Sequence, residues 1–112
     1  MAIKSVGPED LKNLNNEGFT LLQMSAMWCL ESRSIKSSIN KIIDQDETLN
    51  VWIYNVDEDR SIAREFGVRM LPTLLFLKDN EVIAKKTGSI TKKELQDWIN
   101  LITKGEVLTS EN

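Results

Sequence analysis

Histidine is missing from this 112-residue sequence, and cysteine occurs only once. Without histidine, neither a Ser-His-Asp nor a Cys-His catalytic arrangement can form, and the commonest protein metal ligand is absent. A single cysteine excludes an intrachain disulfide and a zinc site built from several thiolates. We therefore expect no metal and no cofactor. The only plausible chemistry rests on the thiol of Cys29.

Long apolar runs and clusters of one charge are absent as well. The 14 basic and 17 acidic residues are mixed along the chain and give a net charge of −3. A nucleic-acid interface needs a clustered basic face, so we expect no nucleic-acid partner. No apolar run approaches the roughly 20 residues needed to cross a bilayer, and residues 1–7 lack the apolar core of a secretory signal. These observations favour a cytoplasmic protein with no membrane partner.

The sequence has the length and composition of one globular domain. Hydrophobic residues make up 41% and charged residues 28% of the chain, which is enough apolar material for a core. Single domains cluster near this size. We expect one domain over residues 1–104, followed by a polar tail over residues 105–112 that frays.

Hydrophobic spacing predicts alternating strands and helices. Apolar runs bounded by turn residues predict strands over 3–6, 19–26, 50–56, 74–77 and 81–86. Helical spacing predicts helices near 8–14, 29–44 and 58–66 and from Thr91 onward. The core-facing stripe of the longest helix consists of Ile35, Ile39, Ile42 and Ile43, and we expect Trp52 and Trp98 in the core. Strands separated by helices and closed by one hairpin predict an α/β fold with a mixed sheet.

Three motifs give the sequence a resemblance to a known family. Trp28-Cys29 follows a buried strand, Met70-Leu71-Pro72-Thr73 precedes the hairpin, and Gly88 follows it. In this order and at this spacing, over residues 19–102, the chain resembles the thioredoxins. The resemblance implies a thioredoxin fold, in which a central mixed sheet has helices on both faces. It also implies a cis peptide bond before Pro72.

The sequence departs from the thioredoxin pattern at three positions. Ser32 stands where the W-C-x-x-C motif has its second cysteine. Gln23 stands where a buried acid is usual, and Ile53 stands where a lysine commonly approaches that acid. The resolving thiol and both members of the buried proton-transfer pair are therefore missing. Gln23 is interpreted as a partly buried strand amide with a local hydrogen bond.

Cys29 is predicted to lie at the start of the longest helix. Unpaired backbone N–H groups and the helix dipole favour an anion there, and a thiol in such a place has a pKa lowered toward roughly 7. We expect Ser32 to donate a hydrogen bond to the thiolate, Arg33 to favour it by charge and Glu31 to oppose it. A strand-to-helix corner predicts an exposed, reactive thiol. The alternative is that Cys29 is unreactive and packs in the core as a small hydrophobic residue.

The resemblance also implies a substrate face beside the thiol. Trp28 would form part of this face, and Pro72 would leave the backbone of the preceding residue free to pair with an extended peptide. The residues expected to rim the peptide groove are Met70, Leu71, Thr87 and Gly88.

Our leading hypothesis is thiol–disulfide exchange with one nucleophilic cysteine. Cys29 and Ser32 would form the catalytic pair, the substrates would be protein or peptide disulfides and thiols, and an external thiol would resolve the mixed disulfide. A Cys-to-Ser change that traps partners is a version of the same hypothesis, and a full dithiol cycle is not supported. The alternative is a non-catalytic binding module with this fold. The three departures favour the module, whereas the retained Trp28, Cys29 and Pro72 oppose it.

Overall fold

The computed structural model describes residues 3–15, 17–43 and 49–103, and strands and helices alternate along them. The strands are β1 (Ile3–Val6), β2 (Phe19–Ser25), β3 (Asn50–Asn55), β4 (Thr73–Lys78) and β5 (Glu81–Thr87). The helices are α1 (Pro8–Lys12), α2 (Leu30–Ile43), α3 (Arg60–Glu65) and α4 (Lys92–Thr103). This order agrees with the one predicted from the sequence. The predicted tail at 105–112 lies outside the described residues, and the single-domain boundary at 104 stays a prediction.

The strands form a mixed sheet in the spatial order β1-β3-β2-β4-β5. β3 pairs in parallel with both β1 and β2, because helices connect these strands in sequence. β4 runs antiparallel to β2, and β5 returns antiparallel to β4 as a hairpin. The predicted mixed sheet is therefore confirmed.

Two hydrophobic clusters cover the two faces of the sheet. Neighbouring residues of a strand point to opposite faces, so Leu21 packs into one cluster and Leu22 into the other. The first cluster contains three of the four isoleucines of the predicted stripe on α2, together with Trp98 of α4; the side chain of Ile43 lies outside the described part of the structure. The second contains Leu11 and Ile62, which belong to α1 and α3. Helices on both faces of the sheet are thus confirmed.

The two tryptophans predicted to lie in the core differ in their burial. Trp98 is buried, with 7% of its surface exposed. Trp52 is only half-buried, and the Lys4 ammonium lies 5.7 Å from the centre of its ring. Lys4 is the residue that pairs with Trp52 across β1 and β3. The core prediction for Trp52 is wrong in this respect, because β1 is the edge strand and covers the indole with a solvated side chain.

Local signals fix the ends of the shorter elements. Thr91 and Glu94 form the predicted capping box: the Thr91 N–H donates to Glu94 Oε1 at 2.9 Å, and the Glu94 N–H donates to Thr91 Oγ1 at 3.1 Å. Helix α3 is followed by Gly67 at φ +73°, a left-handed conformation that favours glycine.

Within the described ranges, no helix is long and apolar enough to cross a membrane.

We expect Phe76→Ala to lower the free energy of unfolding by about 3–5 kcal/mol, as for other buried phenylalanines. Phe76 is fully buried, and its ring makes edge contacts with Phe19 and Trp98 at centroid distances of 5.9 and 5.4 Å. Urea unfolding would measure the loss. The control is Leu101→Ala on α4, where 37% of the side chain is exposed and a much smaller loss is expected. Equal losses in the two variants would contradict this description of the core.

The stability of α3 should depend on pH through Asp59, its N-cap. The Asp59 carboxylate accepts from the Ser61 hydroxyl at 2.6 Å and from the Ser61 N–H at 3.0 Å. These hydrogen bonds, helped by the charges of Lys12 and Arg64, lower the pKa of Asp59. Because the pKa of Asp59 is lowered in the folded state, its carboxylate contributes fully to the free energy of unfolding above the ordinary aspartate pKa near 4. This contribution is lost as the pH falls below that value.

Asp59→Asn isolates this effect, because asparagine also caps helices but does not titrate. We expect the wild-type chain to have the higher thermal midpoint at neutral pH and the difference to shrink as the solution is acidified from about pH 5. A difference that is independent of pH would show that Asp59 does not contribute through its charge.

Candidate functional site

The loop between β2 and α2 presents Cys29 immediately before the helix. β2 ends at Ser25, and the Cys29 N–H donates to the Ala26 carbonyl at 3.0 Å, which closes a turn. Cys29 is buried, with 4% of its surface exposed, whereas Trp28 and Leu30 on either side are 64% and 69% exposed. The expectation of an exposed thiol is therefore wrong. In this tight turn Met27 and Trp28 are exposed and Cys29 is the next side chain to face the interior.

Ser32 shares the inward side of this turn with Cys29. Residues three apart lie on the same face of a helix, and Ser32 is buried to the same extent as Cys29. The expected hydrogen bond between them is not made, because Ser32 Oγ has no partner within the described residues. The Cys29 thiol instead donates to Glu31 Oε1 at 3.7 Å. Arg33 donates to the Met27 carbonyl at 3.0 Å, so its guanidinium holds the loop backbone rather than the sulfur.

Gln23 lies in the middle of β2 and is buried, with 1% of its surface exposed. Its Nε2 donates to the Ser32 carbonyl at 2.8 Å, which ties β2 to the first turn of α2. Its Oε1 has no protein partner among the described residues. Ile53 is its neighbour across β2 and β3. Gln23 is thus a locally bonded strand amide, more deeply buried than the sequence suggested.

Gln23 and Ser32 line an open cleft of about 220 Å³. The cleft also contains Ile53 and the basic side chains Arg33 and Lys36. Both unpartnered polar atoms, Gln23 Oε1 and Ser32 Oγ, therefore belong to residues of one cleft.

Trp28 is fixed by a carboxylate that follows β3. Its Nε1 donates to Asp57 Oδ2 at 3.0 Å, and Arg60 donates to the other oxygen of Asp57 at 2.8 Å. A groove of about 500 Å³ begins at this indole; we name it the Trp28 groove. It is lined by Trp28, Val56, Arg60, Ala63, Arg64, Val68, Arg69, Met70 and Leu71.

The segment before β4 forms one end of the groove. The Leu71–Pro72 peptide bond is cis, and Pro72 is buried. The Thr73 hydroxyl donates to the Met70 carbonyl at 2.6 Å, and the Pro72 carbonyl accepts from the Gly88 N–H at 2.9 Å. The backbone groups of Leu71 make no hydrogen bond within the part of the chain that the structure describes.

The residues expected to bind substrate fall into two groups. Trp28, Met70 and Leu71 meet in the Trp28 groove. Thr87 and Gly88 line a separate hollow of about 370 Å³ that also contains Trp98 of α4. Thr87 and Gly88 therefore do not line the Trp28 groove, but both lie beside the proline segment: Thr87 pairs with Thr73, and Gly88 donates to the Pro72 carbonyl. A common role of all these residues in peptide binding stays a prediction.

Sequence reasoning did not single out Asp57 or the three arginines of the groove. Arg60 and Arg64 are four residues apart on α3, a spacing that places them on one face of the helix, and Arg69 follows shortly afterwards. This spacing is the only local signal, and it does not distinguish a groove wall from an ordinary solvated face.

Comparison with known proteins agrees with this architecture. The thioredoxin family profile matches residues 8–101. A thioredoxin from Bacillus subtilis is 32% identical over 102 residues and covers 89% of this chain and 97% of its own length. A thioredoxin from Listeria monocytogenes is 31% identical over 99 residues, with 88% and 96% covered. The solved structure of a mutant thioredoxin from Halobacterium salinarum shares the fold, with a TM-score of 0.80 at 23% identity over 96% of this chain and 94% of the other. The chain thus belongs to the thioredoxin family of thiol–disulfide redox proteins.

Proposed function

We propose that this protein exchanges thiols and disulfides through Cys29 alone. The observation that carries the proposal is the buried pair of Cys29, immediately before α2, and Ser32, on its first turn, in which only one member is a thiol. The exposed Trp28 precedes this pair in the sequence, and the register of β2 with β4 brings the cis-proline segment to the same end of the sheet. They support a role in disulfide exchange at this position.

The proposed reaction has two balanced steps. The Cys29 thiolate attacks one sulfur of a substrate disulfide, a new S–S bond forms, and the other substrate sulfur leaves as a thiolate. An external thiolate then attacks the substrate sulfur of this mixed disulfide. Cys29 leaves as a thiolate, and the disulfide passes to the substrate and the external thiol.

Ser32 is proposed to occupy the place of a resolving group without acting as one. An alcohol is a far weaker acid than a thiol, so it supplies almost no nucleophilic anion at neutral pH. The mixed disulfide therefore persists until an external thiol arrives. Compartments rich in reduced low-molecular-weight thiols, such as the cytoplasm, suit this cycle, and we propose that the protein acts there.

The Trp28 groove is the proposed binding surface for the substrate chain. Trp28 and Met70 supply apolar contacts, and the unpaired backbone of Leu71 would hydrogen-bond to an extended peptide. Thr87 and Gly88 are proposed to act on the other side, where Gly88 holds the Pro72 carbonyl and thereby fixes the segment.

We expect the wild-type chain to form a mixed disulfide with a peptide disulfide and Cys29→Ala to form none, because no other sulfur nucleophile is present. Mass spectrometry of the folded chain at neutral pH would detect the adduct. Ser34→Ala, on the exposed side of α2, is a control of similar size that should form the adduct as the wild type does. The absence of an adduct in the folded wild-type chain would contradict the proposal.

A non-catalytic binding module is the second candidate, and one observation favours it. The Cys29 thiol is buried and its proton lies in a hydrogen bond to Glu31, an arrangement that limits access to the sulfur. A module would bind a peptide disulfide without forming an adduct, and Cys29→Ala would leave this binding unchanged. Titration with a peptide that lacks cysteine measures binding to the groove under either candidate, and adduct formation with the matching peptide disulfide then separates the two.

We expect Ser32→Cys to close an internal disulfide but to reduce substrates at least about tenfold more slowly than an ordinary thioredoxin. Side chains three apart at a helix start can meet the Cα separation of about 4.4–6.8 Å that a disulfide needs. The new thiol must lose its proton as it attacks, however, and the amide of Gln23 cannot accept it. General base assistance is typically worth about 10²–10⁴ in rate.

Adding Gln23→Asp to Ser32→Cys should recover part of this deficit, because a carboxylate then faces the new thiol across the cleft. Turbidity during reduction of a disulfide protein, with excess small dithiol, measures both variants. If Ser32→Cys alone matches an ordinary thioredoxin, Gln23 and Ile53 do not mark lost proton handling, and Ser32 is the only functional departure.

A further inference from the structure

We propose that the Trp28 groove selects disulfides whose flanking residues are acidic. The inference deepens the function proposed above and rests on it for the chemical step. Arg60, Arg64 and Arg69 line the groove, and no aspartate or glutamate is among its lining residues. The chain as a whole carries a net charge of −3. The groove lining thus carries three positive charges, one of which is paired with Asp57, in a chain whose net charge is negative.

Two of the three guanidinium groups remain available to a ligand. Arg60 is engaged by Asp57 at 2.8 Å, and this carboxylate is shared with the indole of Trp28. Arg64 and Arg69 are exposed and form no salt bridge within the described ranges. Arg64 acts on Asp59 only as a minor contribution to the lowered pKa of that carboxyl. An arginine fork without a partner matches the two oxygens of a carboxylate.

The apolar floor of the groove defines the rest of the ligand. Trp28 and Met70 are 64% and 61% exposed, and the buried Val56, Ala63 and Val68 also line the groove. A volume of about 500 Å³ lies within the usual range for ligand sites. Exposed aromatic anchors surrounded by arginine are typical of the centres of protein interfaces. The chemistry fits an apolar side chain beside the substrate cysteine, followed by aspartate or glutamate.

The occupant inferred here is a peptide rather than a nucleic acid. The unpaired backbone N–H and C=O of Leu71 lie at the groove and match the repeating groups of an extended chain. The three arginines lie in one groove, and the other basic residues are mixed with acidic ones along the chain, whereas a nucleic-acid interface needs an extended basic face. The attraction between the groove arginines and an acidic peptide then raises the rate at which the peptide and the protein meet, and added salt reduces this increase.

Three peptides test the inference. They are identical except for the two residues beside the cysteine, which are aspartates, glutamines or lysines. Each is prepared as a disulfide with thionitrobenzoate, so that attack by Cys29 on the peptide sulfur releases the same coloured thiolate in every case. At low salt we expect the aspartate peptide to react about tenfold faster than the lysine peptide. The ratio should fall toward 1 in high salt and in Arg64→Gln/Arg69→Gln.

Lys78→Gln/Lys92→Gln is the matched control, because it removes two exposed positive charges that do not line the groove. It should keep the preference for the aspartate peptide. Equal rates for the three peptides with the wild-type chain would overturn the inference and leave the proposed function standing. A preference that survives in Arg64→Gln/Arg69→Gln would overturn it as well.

A binding measurement keeps the inference testable if no peptide reacts, which would overturn the proposed function instead. The same peptides with serine in place of cysteine are labelled and titrated with the intact chain by fluorescence anisotropy. Tighter binding of the aspartate peptide that is lost in Arg64→Gln/Arg69→Gln supports the inference. Displacement of that peptide by a single-stranded oligonucleotide at comparable concentration would contradict it and indicate a general anion site.

Discussion

Burial of β2 on both faces and along both edges is the constraint on which the site depends. β2 pairs with β3 on one side and β4 on the other, and its Leu21 and Leu22 enter opposite clusters. A strand held in this way cannot slip, because a shift of one residue would turn every side chain to the wrong face. The register places Met24 opposite Thr73. The thiol loop that leaves β2 and the proline segment that enters β4 therefore meet at the same end of the sheet.

The elements of the fold were predictable because their signals are local. The isoleucine stripe of α2 and the capping box of α4 each specify a helix within a few residues, whatever surrounds it. The burial of Trp52, in contrast, was not predictable from local signals. A strand pattern identifies an apolar position, but it does not say that the neighbouring strand is an edge strand whose Lys4 leaves the indole half-covered.

The candidate site was predictable in its segments but not in its side-chain directions. Chain order brings the Cys29 loop near Pro72, whereas the burial of Cys29 depends on the backbone angles of a short turn, which no periodicity encodes. Gly88 could be expected close to Pro72, but the hydrogen bond that joins them involves two backbone groups, so no side-chain pattern in the sequence predicts it. Arg64 and Arg69 become part of a groove only when α3 is placed beside Trp28.

The departures at positions 23, 32 and 53 form one physically consistent replacement. A buried carboxylate has a large desolvation cost, and it is useful at position 23 only if it takes a proton from an attacking group at position 32. The Ser32 hydroxyl is too weak an acid to act as such an attacking group at neutral pH, so an uncharged amide at position 23 avoids the desolvation cost. The amide also adds a donor that aspartate lacks, and this donor binds the Ser32 carbonyl at 2.8 Å. With no charge at position 23, a cation at position 53 would have no partner, and the apolar Ile53 is the less costly neighbour. The side chain at position 23, where the thioredoxin pattern has a buried acid, thus ties the first turn of α2 to β2 through this hydrogen bond.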